Sequence, residues 1–411
     1  MSSSRGRQKR IPPPRKRRSW FSRLSPETRV VGLVAVIMAI VGLIVLWPRA
    51  EEKAPEALTV VVPADKSLRL AIREGARPFL KAHEDVDLVL VAADDEKMHA
   101  YEAMWRKGES GVDLLIGAEE YLARWSREEM IEPWDTFLTQ RNIRLSSASL
   151  DAGRVEDTQQ MLPVALELSA LRVFSQSAVA QPATLADLAA LAAQLSASGE
   201  PALAADWTGQ WAEATLLATA LAASGTSQNV GMLTARAEDA LAWWRRGIAE
   251  GWARAPGANE SAPPLLWANQ RTWFEERGEA NAQLMLPPAA ADNGTICVVY
   301  GVVLPKKAKR KDAARQFSEK VLVSEDFQIA MAQRTGLLPA LVSAWPELKG
   351  AEWEALIGAA ARSMPLPPEL RARDTVLRFA QAATRCLNGE LTPAAAAEEI
   401  AALASNAEAH E

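Results

Sequence analysis

The chain is poor in the residues that build metal centres and nucleophilic sites. It has only two cysteines and three histidines among 411 residues. It contains no C-x-x-C pair or Cys/His spacing typical of zinc, no G-x-S-x-G elbow, no H-E-x-x-H helix and no P-loop. His83 and His99 lie among charged helical residues, and His410 lies at the C-terminus. These absences predict a protein that is not an enzyme and that uses no metal or other cofactor.

Charge is distributed unevenly along the chain. The first 29 residues carry ten basic side chains against the single acid Glu27, which is a net charge of +9. Because the whole chain carries −5, the remaining residues carry −14. A basic tail of this kind usually has its own partner, either nucleic acid or anionic lipid. The acidic remainder excludes nucleic acid as its own partner.

The segment after the basic tail favours lipid. Val30–Trp47 is a run of 18 residues without a charge, about the shortest length that spans a bilayer as a helix. The preceding basic residues place the N-terminus in the cytoplasm and the rest of the chain outside. A cleaved signal peptide is the alternative, but the run is longer than the apolar segment of such peptides, and no clean A-x-A site follows. We therefore expect an uncleaved, single-pass anchor in the inner membrane.

The two cysteines leave their pairing open. A disulfide between Cys297 and Cys386 is permitted outside the cytoplasm. Cys297, however, lies in an apolar run that has the character of a buried strand. This setting favours two packed thiols over a disulfide.

Beyond the anchor, short apolar runs alternate with longer helical patterns. Strand patterns cover Leu58–Pro63, Val86–Val91 and Val112–Ile116, and helical patterns cover Ser67–His83 and Met98–Lys107. This alternation predicts βαβ units and a mostly parallel sheet with helices on both faces.

The second half of the chain has a different pattern. Thr184–Ala253 is predicted to be nearly all helix, with breaks at Gly225 and Gly251. Strand character returns at Ala282–Leu286 and Thr295–Leu304, and Gly301 in the latter indicates a bend or a close approach of another backbone. The end of the chain is predicted to be helical again.

Several short motifs follow one another in an order typical of a single protein family. They are Pro63–Lys66 after the first strand, Gly111–Tyr121, Leu162–Leu171, Asp206–Trp211, Tyr300–Pro305, Gly336–Ala340 and Leu391–Pro393. From about Leu58 to the C-terminus, the chain resembles the family 1 extracellular solute-binding proteins of ABC importers, which include the maltose-binding proteins.

The resemblance implies an α/β fold with two lobes, of the periplasmic-binding-protein type (type II), preceded by one transmembrane helix. Hinge strands join the lobes, and the ligand lies between them. The implied division of the chain is a basic tail at 1–29, the transmembrane helix at 30–47, a linker at 48–57, lobe one at 58–163 plus 294–345, lobe two at 164–293, and C-terminal helices across the hinge at 346–411.

The same resemblance implies a set of ligand-binding residues in the crevice. These are Asp65, Lys66, Glu120, Glu167, Asp206, Trp207 and Trp211. A loop after a strand, such as that of Asp65, faces the crevice where open α/β sheets bind ligands. An acid within an apolar run, such as Glu167, needs a partner, which is either a ligand hydroxyl or a structural ion pair. Tryptophans on an Ala/Leu-rich helix are either stacking surfaces for sugar or part of the core.

The chain departs from maltose receptors in its aromatic residues. Pro287–Ala289 and Thr375–Phe379 stand where those receptors carry tryptophans, and Trp267 and Trp273 are the candidate replacements. A sugar or oligosaccharide is the first ligand class, and a polyamine is the second because four of the five polar candidates are acids. Ferric ion is disfavoured, since the chain has only three tyrosines and none are adjacent.

The implied partners are a small-molecule ligand, the permease subunits of an ABC importer, and the membrane through the N-terminal helix. In this interpretation the ligand favours a closed form by contacting both lobes. The alternative is a tethered protein of the same fold that senses a ligand or scaffolds an envelope complex without transport.

Overall fold

The computed structural model describes residues 56–174, 179–196, 199–224, 235–257, 263–276, 282–288, 294–367 and 370–409. The predicted basic tail, the predicted transmembrane helix and residues 48–55 of the predicted linker lie outside these residues. In the part that is described, no helix combines the length and the apolar character needed to cross a membrane.

The first elements are parallel strands that alternate with helices. They are β1 (Glu56–Pro63), α1 (Lys66–Gly75), α2 (Arg77–Ala82), β2 (Val86–Ala93), α3 (Asp95–Arg106) and β3 (Leu114–Ala118). β1 pairs in parallel with both β2 and β3, as the alternation predicted. The helix predicted over Ser67–His83 is divided at Ala76, because Pro78 lies in the first turn of α2, where its missing N–H costs nothing.

A group of short elements leads to the longest strand. After a 3₁₀ turn at Glu119–Tyr121 come α4 (Leu122–Arg127), β4 (Ile131–Glu132), α5 (Asp135–Arg141), α6 (Ser147–Ala152), β5 (Arg154–Val155), β6 (Thr158–Gln159) and β7 (Leu162–Phe174). The elements that follow are α7 (Leu185–Leu195), β8 (Leu203–Ala205), α8 (Gly209–Ser224), α9 (Ala237–Glu250), β9 (Leu265–Asn269), α10 (Gln270–Glu276) and β10 (Ala282–Met285).

The C-terminal part returns to the sheet and ends in helices. Its elements are β11 (Ile296–Pro305), α11 (Lys311–Phe317) with a π-helical turn at Ser318–Leu322, α12 (Glu325–Thr335), β12 (Leu338–Pro339), a 3₁₀ helix at Val342–Glu347, α13 (Ala351–Ala360), β13 (Met364–Pro365), α14 (Arg373–Leu387) and α15 (Pro393–Ala409). The strand predicted over Thr295–Leu304 and the helical end of the chain are therefore confirmed.

The long strands β7 and β11 lie at the centre of the sheet. The main path of the sheet runs β2-β1-β3-β11-β7-β9-β8, and β7 pairs with β11 in antiparallel register from Leu162↔Val302 to Leu168↔Cys297. Twelve of the thirteen residues of β7 are buried, which explains its nearly continuous apolar sequence. The family motif at Leu162–Leu171 lies within β7. Because β11 also pairs antiparallel with β3, and β7 with β9, the sheet is mixed, and the prediction of a mostly parallel sheet is correct only for its first strands.

Gly301 interrupts the regular pairing of β11. The register shifts between Tyr300 and Gly301. A Cβ atom at position 301 would lie 2.4 Å from Met161 Cγ and 2.8 Å from the carbonyl oxygen of Leu162. The predicted close approach is confirmed, because only glycine leaves room for the neighbouring chain here.

Buried apolar side chains form two separate cores. The first contains residues between Leu58 and Leu168 together with most of those between Cys297 and Ala360. The second contains residues between Leu171 and Trp267, and α14 and α15 pack into it against α8 and α9. The exact lobe boundaries stay a prediction.

The prediction of nearly continuous helix over Thr184–Ala253 is wrong at one place. Leu203–Ala205 forms the strand β8, which pairs in parallel with β9. A run of Ala and Leu this short has no period that separates a buried strand from a buried helix. The predicted break at Gly251 is confirmed, since this residue ends α9 with φ = 77°. The other predicted break, Gly225, lies outside the described residues.

Both cysteines are free, and both are buried. The favoured prediction of two packed thiols is confirmed. Burial raises the pKa of the Cys297 thiol to about 12. Since the thiolate is the reactive form, this cysteine is inert.

Candidate functional site

Two of the acids predicted from the sequence meet at one arginine. Asp65 follows β1 and Glu167 lies within β7, whereas Arg271 is in the first turn of α10. The Nη2 atom of Arg271 donates to Oδ2 of Asp65, and its Nε lies 4.0 Å from Oε1 of Glu167. We call Asp65, Glu167, Arg271 and Tyr300 the first cluster.

Local structure fixes the position of Asp65. Its backbone is extended, with φ −73° and ψ 116°, and its Oδ1 atom accepts a hydrogen bond from the Leu68 amide at 2.9 Å. Asp65 is therefore the N-cap of α1 and satisfies an amide that the helix leaves unpaired. The neighbouring Lys66 is the first residue of α1, and it is exposed.

Glu167 is buried, with 2% of its surface exposed. The Tyr300 hydroxyl donates to its Oε2 atom at 2.8 Å. Burial raises the pKa of Glu167 to about 7, although Arg271 and the Tyr300 hydrogen bond act in the opposite direction. The carboxyl therefore changes its protonation near neutral pH. The sequence left two interpretations of this acid, a contact with a ligand hydroxyl or a structural ion pair. The structure supplies the partner for the ion pair, which is Arg271.

A second cluster of buried charges consists of Glu119, Arg371 and Glu213. Glu119 follows β3 and accepts a hydrogen bond from the Val299 amide at 3.2 Å. Its Oε1 atom lies 3.9 Å from Nε of Arg371. Burial raises the pKa of Glu119 to about 7, against the opposing effect of Arg371.

Glu213 lies on α8 and has no exposed surface. Neither of its carboxyl oxygens has a hydrogen-bond partner among the described residues. Burial and the nearby Glu119 raise the pKa of Glu213 well above its usual range, which favours its protonated form. A neutral acid avoids most of the cost of a buried charge.

Glu120 forms an ion pair with a residue from the far end of the chain. Nη1 of Arg373, in α14, donates to its Oε1 atom at 3.1 Å. Two cavities of about 340 and 490 Å³ adjoin Glu120, and Arg127 also lines both. A larger cavity of about 880 Å³ lies between α1, α2 and α12, and none of the predicted ligand residues lines it.

The remaining predicted residues lie apart from these ion pairs. Oδ1 of Asp206 accepts hydrogen bonds from the amide and the hydroxyl of Thr208, at 3.0 and 2.5 Å. Trp207 and Trp211 are 7% and 9% exposed and pack in the second core. A role for these three in ligand binding stays a prediction.

The two tryptophans considered as replacements are also buried. Trp267 has no exposed surface, and its Nε1 donates to the Ser169 hydroxyl at 2.9 Å. Trp273 is 8% exposed and packs in the first core. Polar groups, rather than these aromatic rings, therefore provide the recognisable chemistry of the site.

Sequence reasoning missed the three arginines that pair with acids here, which are Arg271, Arg371 and Arg373, as well as Glu119 and Glu213. The arginines lie in no motif, and only the fold brings them to the acids. Glu119 had a signal, since it directly precedes the predicted Glu120. No group of His, Cys, Asp and Glu within the described ranges has an arrangement suited to a metal ion.

Solved structures of sugar-binding proteins share this architecture. One is the sugar-binding protein MalE from the phytopathogen Xanthomonas citri, with a TM-score of 0.71, 15% identity, and coverage of 86% of this chain and 98% of that one. The GacH receptor of Streptomyces glaucescens has a TM-score of 0.71 and 14% identity over 85% and 98%. Maltose-bound MalE3 of T. maritima has a TM-score of 0.70 and 14% identity over 85% and 99%. Such likenesses establish the two-lobed, mixed α/β periplasmic-binding-protein fold.

Family membership comes from the sequence. A profile described as bacterial extracellular solute-binding protein matches residues 75–360. No curated protein matches the chain significantly. Since the matched segment covers well over half of the chain, the chain belongs to the family of bacterial extracellular solute-binding proteins, which bind solutes rather than catalyse reactions.

Proposed function

We propose that the chain is an extracytoplasmic receptor that binds a neutral carbohydrate and delivers it to an ABC importer. The observation that carries this proposal is the convergence of Asp65 and Glu167 on one site, as the resemblance to maltose receptors implied. Carboxylate oxygens accept hydrogen bonds from sugar hydroxyls, and hydrogen bonds to charged acceptors are the stronger ones. The sugar-binding proteins of similar fold support the same ligand class.

The charge balance of the first cluster favours a neutral ligand over a polyamine. Arg271 offsets one unit of negative charge among the acids on which a polyamine would depend. Burial also raises the pKa of Glu167 to about 7, which lowers the negative charge of the site further. A neutral, hydroxyl-rich solute needs acceptors rather than net charge, and it fits this balance.

Delivery requires a permease and a location beside it. The family is extracellular, and we propose that the uncharged run Val30–Trp47 anchors the receptor in the inner membrane. Such an anchor restricts the receptor to the membrane plane and raises its effective concentration at a permease. The basic residues before the run support an N-terminus in the cytoplasm.

Replacing both convergent acids is expected to remove carbohydrate binding. In the Asp65→Asn/Glu167→Gln variant each carboxylate becomes an amide of the same shape, and two charged acceptors are lost. We expect the dissociation constant for maltose or maltotriose to rise by at least about 100-fold, from the usual strength of two hydrogen bonds to charged groups. Isothermal titration calorimetry on the purified full-length chain measures this change.

The matched control replaces two exposed acids outside the first cluster. Glu352 and Glu354 are exposed residues in the first turn of α13. The Glu352→Gln/Glu354→Gln variant loses the same two charges and is expected to bind with wild-type affinity. A folded Asp65/Glu167 variant that also keeps wild-type affinity would refute the assignment of these acids.

A further inference from the structure

The first cluster already holds a cation, and that cation belongs to the chain itself. The Arg271 side chain is 18% exposed, and its guanidinium lies against Asp65 and Glu167, which are 13% and 3% exposed. The third nearby acid is Glu275, one turn along α10, with Oε1 at 3.7 Å from Nη2 of Arg271. Glu275 is mostly exposed, so water screens its charge.

Arginine suits the role of a permanent occupant. Its guanidinium stays charged at any physiological pH, and its planar fork matches carboxylate oxygens. Because the group is tethered to α10, it competes with free cations at a high effective concentration. A free amine would have to displace Arg271 from Asp65 and Glu167 and leave it only the exposed Glu275 as a partner, which costs more than the exchange returns.

The arginine does not use all the hydrogen-bonding capacity of the acids. A carboxylate has about four lone-pair sites. Glu167 accepts one hydrogen bond from the Tyr300 hydroxyl, and its Oε1 atom lies 4.0 Å from Arg271, beyond hydrogen-bond distance. The Nε atom of Arg271 itself has no hydrogen-bond partner in the part of the chain that the structure describes. A donor and an acceptor thus lie 4.0 Å apart without a direct hydrogen bond between them, and both keep hydrogen-bonding capacity.

We propose that Arg271 is the specificity-determining residue of this site. Its guanidinium occupies the position of a cationic solute and so excludes amines and guanidines, while hydroxyl groups bind at the acceptors and the donor that remain. This inference rests on the proposed function, because it assigns the ligand class of the same site. The solutes that we expect Arg271 to exclude are those with an alkylguanidinium or alkylammonium group.

The test uses agmatine, a small molecule with a guanidinium at one end and an amine at the other. Its binding is measured by isothermal titration calorimetry on the full-length wild type and on the Arg271→Ala, Arg271→Gln and Arg271→Lys variants. Alanine and glutamine remove the occupant's charge, so we expect both variants to bind agmatine at one site, at least about tenfold more tightly than the wild type. Lysine keeps the charge, and this variant is expected to behave like the wild type.

A double variant assigns the gained binding to the acids. Adding Asp65→Asn to Arg271→Gln is expected to abolish agmatine binding. Agmatine binding by the wild type, or its absence in both folded neutral variants, would overturn the inference. The glutamine variant covers the case in which the alanine variant does not fold.

The outcomes separate this inference from the proposed function. Carbohydrate binding by the wild type tests the proposed receptor function. The gain of agmatine binding on removal of Arg271 tests the proposed role of this arginine in excluding cations. If the wild type binds no carbohydrate and the Arg271→Gln variant gains agmatine binding, the proposed function is contradicted and the role of Arg271 is supported.

Discussion

Arg371→Ala is expected to lower the free energy of unfolding by about 3–5 kcal/mol, the usual loss when one partner of a buried ion pair is removed. The Arg371 side chain is 7% exposed. Its guanidinium donates to the carbonyl oxygens of Leu366, Ala152 and Asp151 at 2.6, 3.0 and 3.3 Å. It is also the counter-charge of the buried Glu119. Truncation removes these three hydrogen bonds and the counter-charge of Glu119, and each lost partner adds to the cost.

Arg373 provides the matched control, because it lies two residues away. Its side chain is 22% exposed, and it pairs with the similarly exposed Glu120. Since water reaches this pair, Arg373→Ala is expected to lower the free energy of unfolding by about 1 kcal/mol or less. Urea unfolding of the wild type and of both variants compares the two losses. Equal losses would contradict the role assigned to Arg371.

The folded chain is expected to lose stability as the pH rises from about 5 to 8. Burial raises the pKa values of Glu119 and Glu167 from 4.5 to about 7. Between these values the folded state binds more protons than the unfolded state, so the free energy of unfolding falls as the pH rises. The contribution is fully present below pH 4.5 and is lost as the pH passes through about 7. Each group contributes roughly 3 kcal/mol, from 1.36 kcal/mol per pKa unit.

A substitution separates this effect from that of other carboxyl groups. Hydrogen bonds from Arg106 and Lys306 lower the pKa values of Glu128 and Glu129 from 4.5, so these exposed groups affect stability only at pH values below this range. Glu167→Gln is neutral at every pH, so the loss of stability between pH 5 and 8 is expected to be smaller in this variant. Urea unfolding of the wild type and of this variant, at pH 5 and at pH 8, measures the difference. A wild type and a variant with the same pH dependence would refute the raised pKa of Glu167.

The sequence predicts the parts of the fold that are encoded over short distances. The strands β1, β2, β3 and β11 follow from short apolar runs that lie between helical patterns. The strand β7 follows from a longer apolar run that contains a single acid, Glu167. β8 could not be predicted in the same way, because three residues of Leu and Ala show no period. Its strand conformation depends on pairing with β9, about sixty residues later.

The acids of the site are local features, whereas their partners are not. Asp65 is recognisable as a helix cap after a strand, and Glu167 as an acid in a buried run. Arg271 and Arg373 lie 206 and 253 positions from Asp65 and Glu120, respectively. Nothing in a single sequence links positions that far apart. The buried state of Trp207 and Trp211 is equally a result of packing, since a tryptophan on an apolar helix suits either a core or a stacking surface.

The most direct test of the central claim is a thermal-shift titration of the full-length chain with neutral oligosaccharides and, in parallel, with polyamines. A ligand that binds only the folded state stabilises it by about 2.7 kcal/mol at one hundred times its dissociation constant. The receptor described here predicts a saturable rise in Tm with at least one neutral oligosaccharide and none with polyamines. A rise with polyamines alone, or no rise with any neutral oligosaccharide, would contradict it.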